Sequence, residues 1–304
     1  MKVFVGQPLP EPSTSELLAG HEVVIGAGSL PAAEVAIHLA GADAFLPTPR
    51  ERVTREVLSR APRLRIVASC SVGTDHIDVP ACRERGIAVT NTPGVLTEAT
   101  ADLAFALILA VARRMHEGEA LLRSGRWDGW KPLELLGTSL EAKTLGIYGL
   151  GRIGSAVARR GEVFGMKTLG IVEADPPERF EELLAASDVV SIHAPLTPAT
   201  RGRFSRRELF AMKKGAILVN TARGPLVDEA ALVEALEAGQ LRGAGLDVYE
   251  REPAVHPGLP GRKDVVLLPH LGSATEETRR AMARLACSEI ARFFRGEPLR
   301  HPVG

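Results

Sequence analysis

The stretch Leu145–Gly154, which reads LGIYGLGRIG, decides the fold of this chain, because an apolar strand-like run leads directly into three glycines spaced GxGxxG. A helix-like segment, Ser155–Val163, follows at once. In such a unit the first glycine permits a tight turn, the second lets the backbone approach a pyrophosphate, and the third lets the helix pack on the strand. The sequence therefore predicts a dinucleotide-binding loop built on Gly149, Gly151 and Gly154.

A second run, Val23–Gly28, also carries two glycines after an apolar stretch, but Pro31 occupies the place of the third glycine. The proline ring prevents close packing and removes a backbone N–H. Here the sequence predicts only a strand followed by a helix that opens at Pro31.

Length and composition exclude several classes of protein. The 304 residues suit two domains, and 45% hydrophobic residues suffice for two cores. Lysine plus arginine equals aspartate plus glutamate at 37 each, so we expect no nucleic-acid partner and no anionic membrane partner. Three cysteines without a CxxC pair predict reduced thiols in a cytoplasmic protein and no metal site. We expect no signal peptide at Met1–Val5, and Leu103–Ala112 is too short to span a bilayer.

Short apolar segments alternate with helical ones along the whole chain, which predicts an α/β fold of doubly wound parallel sheets. The predicted strands are Lys2–Val5, Glu22–Ile25, Ala44–Leu46, Arg65–Cys70, Ala88–Thr90, Leu145–Tyr148, Thr168–Val172, Val189–Ile192, Ala216–Asn220, Ala244–Leu246 and Val265–Leu268.

Two long helical stretches, Glu98–Arg123 and Thr275–Phe294, suggest how the domains connect. If the second stretch returns the chain to the first domain, the two domains interleave. The predicted domains are then residues 1–96 with 275–304, and residues 97–274. A cleft between them that closes and excludes water would suit hydride transfer.

Three side chains downstream of the glycine loop lie at or after predicted strand ends, where an open parallel sheet places its ligands. Arg223 offers a guanidinium fork for a carboxylate, His270 can donate and recover a proton near neutral pH, and Glu252 lies in a polar loop. Local sequence slightly favours a surface ion pair for Arg223, and an exposed carboxylate is the commoner role for a residue such as Glu252. His270 is more distinctive, although it could be an ordinary packed or exposed histidine. His193 also ends a strand, and we assign it a structural role, although position alone does not separate it from His270.

Three segments resemble the signature blocks of the D-isomer-specific 2-hydroxyacid dehydrogenases: residues 220–228 (NTARGPLVD), 245–253 (GLDVYEREP) and 268–275 (LPHLGSAT). The likeness spans nearly the whole chain and becomes firm at residues 71–78. The resemblance implies two interleaved domains, the first flavodoxin-like and the second a Rossmann domain, with a small 2-keto or 2-hydroxy acid as substrate. It also implies a homodimer formed through the Glu98–Arg123 helix.

In that family the arginine, glutamate and histidine of these blocks are catalytic. By resemblance, His270 protonates the substrate oxygen, Glu252 orients the imidazole and favours its charged form, and Arg223 holds the substrate carboxylate. The N–H groups of Val72 and Gly73 resemble a second carboxylate clamp. Further positions that match cofactor contacts of the family are Arg152, Ile153, Pro195, Thr221, Asp247, His270 and Ser273.

An acidic side chain after the second strand of the unit accepts from the ribose 2′-OH of NAD and repels the 2′-phosphate of NADP. Many NAD-dependent relatives carry aspartate where this chain has Val172, and Glu173 follows directly. We assign Glu173 to the 2′-OH and expect NAD rather than NADP, although Arg179 could reach the same loop.

The segment 124–132, SGRWDGWKP, resembles glyoxylate and hydroxypyruvate reductases, although its tryptophans could instead pack at a subunit interface. D-3-phosphoglycerate dehydrogenase and a non-enzymatic dinucleotide-sensing module remain alternatives. Phosphite dehydrogenases carry a lysine where Val72 stands, which disfavours that activity.

Overall fold

A computed structural model describes residues 1–28 and 30–304, and the chain divides into two compact units. The first unit comprises Met1–Leu96 with Ser273–Gly304, and the second comprises Thr97–Gly272. Each unit is built on its own parallel sheet, so the predicted α/β fold class is confirmed.

The first unit contains a five-stranded parallel sheet in the order β2-β1-β3-β4-β5. The inner strands of this sheet are almost entirely buried, which explains why they read as continuous hydrophobic runs. The strands are β1 (Lys2–Val5), β2 (Glu22–Ile25), β3 (Ala44–Leu46), β4 (Ile66–Ala68) and β5 (Ala88–Thr90). The helices are α1 (Ser13–Leu17), α2 (Ala32–Leu39), α3 (Arg55–Ser59), α4 (Val79–Glu84) and α11 (Glu276–Phe294).

Pro31 is the N-cap residue of α2, with β2 ending at Ile25 before it. This confirms the prediction of a strand and a helix at the second glycine run.

The second unit contains a six-stranded parallel sheet in the order β11-β10-β9-β8-β6-β7. Its strands are β6 (Thr144–Tyr148), β7 (Lys167–Ile171), β8 (Val189–Ile192), β9 (Ala216–Asn220), β10 (Leu241–Leu246) and β11 (Val265–Leu267). Its helices are α5 (Thr97–Ala112), α6 (Met115–Arg123), α7 (Arg152–Val163), α8 (Pro177–Ala186), α9 (Arg206–Ala211) and α10 (Glu229–Glu237), with a 3-10 turn at Gly224–Leu226.

The strand order of the second sheet reverses at β6, which lies between β8 and β7. Loops leaving β6 and β8 therefore diverge at the carboxyl edge, and such a switch point is where open α/β sheets bind ligands. Two apolar clusters cover the faces of the sheet, one containing Phe180, Phe204 and Leu232, and the other containing Leu107 and Ile108. This packing fixes the strand ends from which the candidate site is built.

The predicted helical stretch Glu98–Arg123 is in fact two helices, α5 and α6, and this corrects the sequence-based expectation. Arg114 adopts the left-handed conformation at φ 53° and turns the chain between them. The backbone of a neighbouring loop approaches the end of α5 closely, because a Cβ on Gly137 would lie 2.4 Å from the Ala112 carbonyl oxygen. The Thr138 N–H donates to the same oxygen at 2.8 Å, so this carbonyl is held by the loop where α5 ends.

Within the described ranges 1–28 and 30–304, no helix has the length and apolar character needed to cross a membrane.

Candidate active site

The glycine loop follows β6 and turns sharply because Gly149 adopts φ +98°. The N–H groups of Gly149 and Leu150 both donate to the Ile171 carbonyl oxygen, at 2.9 and 3.0 Å, which anchors the loop to the end of β7. A Cβ on Gly149 would lie 2.4 Å from the backbone nitrogen of Ala194, and one on Gly154 would lie 2.2 Å from the Gly149 carbonyl oxygen. Both positions therefore require glycine for close backbone packing.

Gly151 differs from these two glycines, because a Cβ there would meet nothing within 4 Å. It is also the N-cap residue of α7, and no side chain among the described residues caps the first turn of that helix. The uncapped N–H groups at the start of α7 lie beside open space at the positive end of the helix dipole, so they are suited to bind an anionic group. Thr221 Oγ1, at the end of β9, is buried without a hydrogen-bond partner in the described part of the chain. These features fit a dinucleotide.

Arg223 lies in a turn just after β9. Two hydrogen bonds of the Asn220 side chain stabilise this turn. The Asn220 side chain accepts from the Ala222 N–H at 3.0 Å and donates to the Arg223 carbonyl oxygen at 3.0 Å. A Cβ on Gly224 would lie 1.8 Å from the carbonyl carbon of Tyr249, so the turn packs backbone to backbone against the loop after β10. This contact brings Arg223 towards the loop that carries Glu252.

Glu252 and His270 form a hydrogen-bonded pair, although 18 residues separate them in the sequence. The Nδ1 atom of His270 lies 2.9 Å from Glu252 Oε2, and the Tyr249 N–H donates to Oε1 at 3.0 Å. The side chains retain 39% and 36% exposure, so the imidazole stays accessible. A carboxylate that accepts from Nδ1–H fixes the tautomer and leaves Nε2 for a reacting group.

Asp247 organises the turn that presents His270. Its side chain is fully buried, and its two oxygens accept from the N–H groups of Leu271 and Gly272 at 2.6 and 2.8 Å. The His270 N–H donates to the Asp247 carbonyl oxygen at 2.9 Å. His270 itself has φ 56°, a conformation that a non-glycine residue keeps only when its surroundings hold it.

Electrostatics distinguish the two carboxylates. Burial opposes the charge of Glu252, but the hydrogen bond and charge of His270, the Tyr249 N–H and the charge of Arg223 together lower its pKa. Burial raises the pKa of Asp247 despite its two N–H donors. Glu252 is therefore the anionic partner for a protonated imidazole.

Sequence reasoning missed Glu229, which holds the loop that carries Glu252. This buried carboxylate, in the first turn of α10, accepts from the N–H groups of Glu250 and His256 at 2.8 and 3.1 Å. An acidic residue at a helix N-terminus is so common that nothing in the sequence marks this one.

His193 lies at the end of β8 and its Nε2 atom is 2.8 Å from Ser191 Oγ. Burial lowers its pKa to about 3, so the ring stays neutral. Unlike His270 it has no carboxylate partner among the residues the structure describes, which separates the two histidines where position in the sequence did not.

The remaining predicted residues fall in both units. Glu173 is exposed after β7, Arg152 and Ile153 open α7, and Pro195 follows β8. Val72, Gly73 and Ser273 belong to the first unit. There the Asn91 side chain donates to the Val72 carbonyl oxygen at 2.8 Å, and Ser71 Oγ donates to that of Gly73 at 2.7 Å. Their predicted contacts with substrate and cofactor stay predictions.

No group of three or more histidine, cysteine or acidic side chains suited to a metal ion occurs in the described ranges. The candidate chemistry is that of the imidazole, the carboxylate, the guanidinium and a dinucleotide.

Comparison with known proteins agrees with this geometry. Residues 105–272 match the family model described as D-isomer specific 2-hydroxyacid dehydrogenase, NAD binding domain. A glyoxylate reductase from Thermococcus litoralis is 45% identical, covering 97% of this chain and 94% of that protein. A crystal structure of a protein from Thermus thermophilus has a TM-score of 0.93 at 47% identity, covering both chains completely.

An NADPH-dependent glyoxylate/hydroxypyruvate reductase from Sinorhizobium meliloti, solved with NADP and malonate, has a TM-score of 0.89 at 34% identity and covers 100% of this chain and 96% of its own. The family match and the relatives together establish a dinucleotide-dependent oxidoreductase. The chain therefore belongs to the D-isomer-specific 2-hydroxyacid dehydrogenases, which act on the CH–OH group of their substrates.

Proposed function

We propose that this enzyme is an NAD-dependent D-2-hydroxyacid dehydrogenase that reduces glyoxylate or hydroxypyruvate to the corresponding 2-hydroxy acid. The observation that carries the proposal is the 2.9 Å contact between His270 Nδ1 and Glu252 Oε2. It aligns an imidazole with a carboxylate in the manner of a general acid, and the Arg223 turn packs against the same loop.

The loop at Gly149, Gly151 and Gly154 would hold NADH, which when bound would supply the hydride that the carbonyl carbon of the keto acid accepts. His270 gives its Nε2 proton to the carbonyl oxygen, which becomes the hydroxyl. Glu252 stabilises the imidazolium before this transfer through the Nδ1–H bond. Arg223 binds the substrate carboxylate and stabilises negative charge as it develops on the oxygen. In the oxidative direction His270 takes the proton back.

The substrate class rests on the relatives, several of which are glyoxylate reductases at 43 to 48% identity. To test it, purified enzyme is mixed with NADH or NADPH and with glyoxylate, hydroxypyruvate, pyruvate or 3-phosphohydroxypyruvate, and oxidation is followed by absorbance. We expect the highest kcat/KM with glyoxylate or hydroxypyruvate and NADH. Preference for the phosphorylated acid would instead assign a D-3-phosphoglycerate dehydrogenase, and binding of NADH without turnover would favour a sensing module.

The loop after β7 supports NAD over NADP. Asp175 Oδ2 accepts from the Val172 N–H at 2.8 Å, so this carboxylate closes the turn. Within residues 1–28 and 30–304, the one hydrogen bond of Glu173 is a long 3.4 Å contact with Thr197 Oγ1. The side chain is exposed, which leaves its carboxylate available to a ribose hydroxyl. Arg179 forms an exposed ion pair with Glu182 along α8. A negative charge at this point repels a 2′-phosphate.

Glu173→Gln is expected to shift cofactor preference towards NADPH, because the amide keeps the shape of the side chain but removes the repulsion. The ratio of kcat/KM with NADH to that with NADPH should fall about fivefold, the size of a modest exposed charge effect. Glu178→Gln, an exposed carboxylate in the first turn of α8, is the matched control and should leave the ratio unchanged. An unchanged ratio in Glu173→Gln would contradict the assignment.

The homodimer stays a proposal. Helix α5 is packed largely inside the second unit, against α7, β9 and β10, so its apolar run is explained within one chain. The exposed Trp130 and Leu133, at 83% and 81%, are better candidates for a subunit contact. A mass of one chain by light scattering would refute the dimer.

A further inference from the structure

We propose that the second unit carries a second anion-binding site, suited to a compact dianion such as phosphate or a phosphate monoester, at the amino edge of its sheet. The cavity has a volume of about 580 Å³ and is lined by residues at the α5–α6 junction, at Arg242 near the start of β10, and at positions 261–264 before β11. Gly149, Thr221 and Asp247 follow the carboxyl ends of β6, β9 and β10, so this cavity lies away from the dinucleotide loop.

Charge is the first observation in favour of an anion. Four cationic side chains line the cavity, against the carboxylates of Glu117 and Asp264. Each carboxylate is already paired: Glu117 with Arg114 at 2.8 and 2.7 Å, and Asp264 with Arg262 at 2.8 Å through both oxygens. Such bidentate pairs are the strong form of this interaction and leave little negative charge to offer.

Two cations therefore remain without a carboxylate partner in the described part of the chain. Lys263 is exposed, and its backbone oxygen, not its ammonium group, makes the contact with His116. Among the residues that the structure describes, the Arg242 side chain donates only to the Leu136 carbonyl oxygen, at 3.0 Å. Two uncompensated positive charges match the charge of a dianion.

His116 supplies the second observation. Its Nε2 atom lies 2.7 Å from the Lys263 carbonyl oxygen, so Nε2 must carry the proton and donate. Its Nδ1 atom is buried and has no hydrogen-bond partner among residues 1–28 and 30–304. Buried polar atoms are normally hydrogen-bonded, and His116 is one of the residues that line the cavity, so a ligand bound there is a candidate partner for this atom. Hydrogen phosphate, a dianion that keeps one P–OH proton, would donate that hydrogen bond to Nδ1.

The backbone of Arg114, which lines the cavity, adopts a strained conformation that positions His116 and Glu117. Arg114 holds φ 53° and ψ 38°, a left-handed conformation that is unfavourable for a residue with a Cβ atom. This turn places His116 and Glu117 in the first turn of α6, where both line the cavity. Strain that is kept at a cavity of this kind is often connected with function.

The test measures phosphate binding directly, by calorimetry, with the enzyme saturated with NADH so that the dinucleotide loop is filled. Orthophosphate, glycerol 3-phosphate and succinate are titrated separately at constant ionic strength in chloride. We expect one phosphate site per chain, and the double variant R242A/K263A should weaken its affinity about tenfold or more, because it removes both uncompensated cations. Tightest binding of orthophosphate or of glycerol 3-phosphate supports the proposal and distinguishes free phosphate from a phosphate ester, whereas tighter binding of succinate would overturn it.

The matched control is R201A/K214A, which removes an exposed arginine and an exposed lysine of the same unit that form no ion pair in the described structure. It should bind phosphate like the unmodified enzyme, and both double variants should keep kcat. Absence of binding to the NADH-saturated enzyme, or equal affinity in R242A/K263A, would overturn the proposal. Neither result depends on the identity of the keto acid, so the proposed function is tested separately.

Discussion

His270→Asn is expected to lower kcat about 10²- to 10⁴-fold, the usual contribution of a positioned general acid. Asparagine suits this position, because its amide nitrogen can replace the Nδ1–H that faces Glu252, and because asparagine tolerates the left-handed φ of 56° better than most residues. The variant therefore keeps the turn and the contact with Glu252, and loses only the Nε2 proton. Steady-state kinetics with the preferred keto acid measure the loss.

The control variant for this experiment is His256→Asn, which makes the same change in a histidine whose Nδ1 accepts from the Gly258 N–H at 3.2 Å. It should keep kcat within about twofold. NADH affinity, measured by fluorescence, should be equal in both variants, which would separate lost proton transfer from lost cofactor binding. A kcat within tenfold of the unmodified enzyme in His270→Asn would show that another group transfers the proton.

The dinucleotide loop was predictable because its requirements are local. The spacing of Gly149, Gly151 and Gly154 encodes one positive φ and two close backbone approaches. The structure shows φ +98° at the first position, and a Cβ at the first or third position would lie only 2.4 or 2.2 Å from a neighbouring backbone atom. Strands that are buried on both faces also reveal themselves as apolar runs, so most of the predicted strands agree with the structure to within a residue or two at each end.

The supports of the candidate site were not predictable, because they depend on contacts between distant residues. The Asp247 carboxylate accepts hydrogen bonds from the N–H groups of Leu271 and Gly272, which lie 24 and 25 residues later in the sequence. The Glu229 carboxylate accepts from the His256 N–H, 27 residues later. An aspartate after a strand and a glutamate at a helix start are both ordinary in a sequence. Only the fold shows that their oxygens face backbone N–H groups.

The interruption between α5 and α6 was not predictable from the sequence, for a related reason. Arginine favours helix, and the positive φ of Arg114 follows from tertiary contacts: the loop at Gly137 against the Ala112 carbonyl oxygen, and the Arg114 pairing with Glu117. Local helix propensity would continue the helix through Arg114, but tertiary packing ends the helix there. The same break creates the cavity that we propose as a second anion site.

Arg223→Ala is expected to lower kcat/KM for the keto acid about 10²- to 10³-fold. The change removes both the guanidinium group that binds the carboxylate and a positive charge beside the developing oxyanion. Arg223→Lys should recover part of the loss, since it restores charge without the fork. NADH affinity should change little in either variant. The Arg223 side chain donates to the Ala222 carbonyl oxygen at 2.8 Å, so melting temperatures are needed to confirm that the turn remains folded.

The pH profile of Arg223→Ala tests the electrostatic part of this assignment. Burial raises the pKa of Glu252, and the charge of Arg223 is one of the contributions that bring it below its usual range. Glu252 must be ionised to accept from His270 Nδ1–H, so activity falls on the acid side as Glu252 takes up a proton. Without the charge of Arg223, Glu252 takes up its proton at higher pH, so the acid limb of the kcat/KM profile should shift to higher pH. Arg223→Lys keeps the charge and should leave the limb near its original position. An acid limb that is identical in the alanine and lysine variants would mean that Arg223 acts on the substrate alone and that the charge of Glu252 is set by its other neighbours.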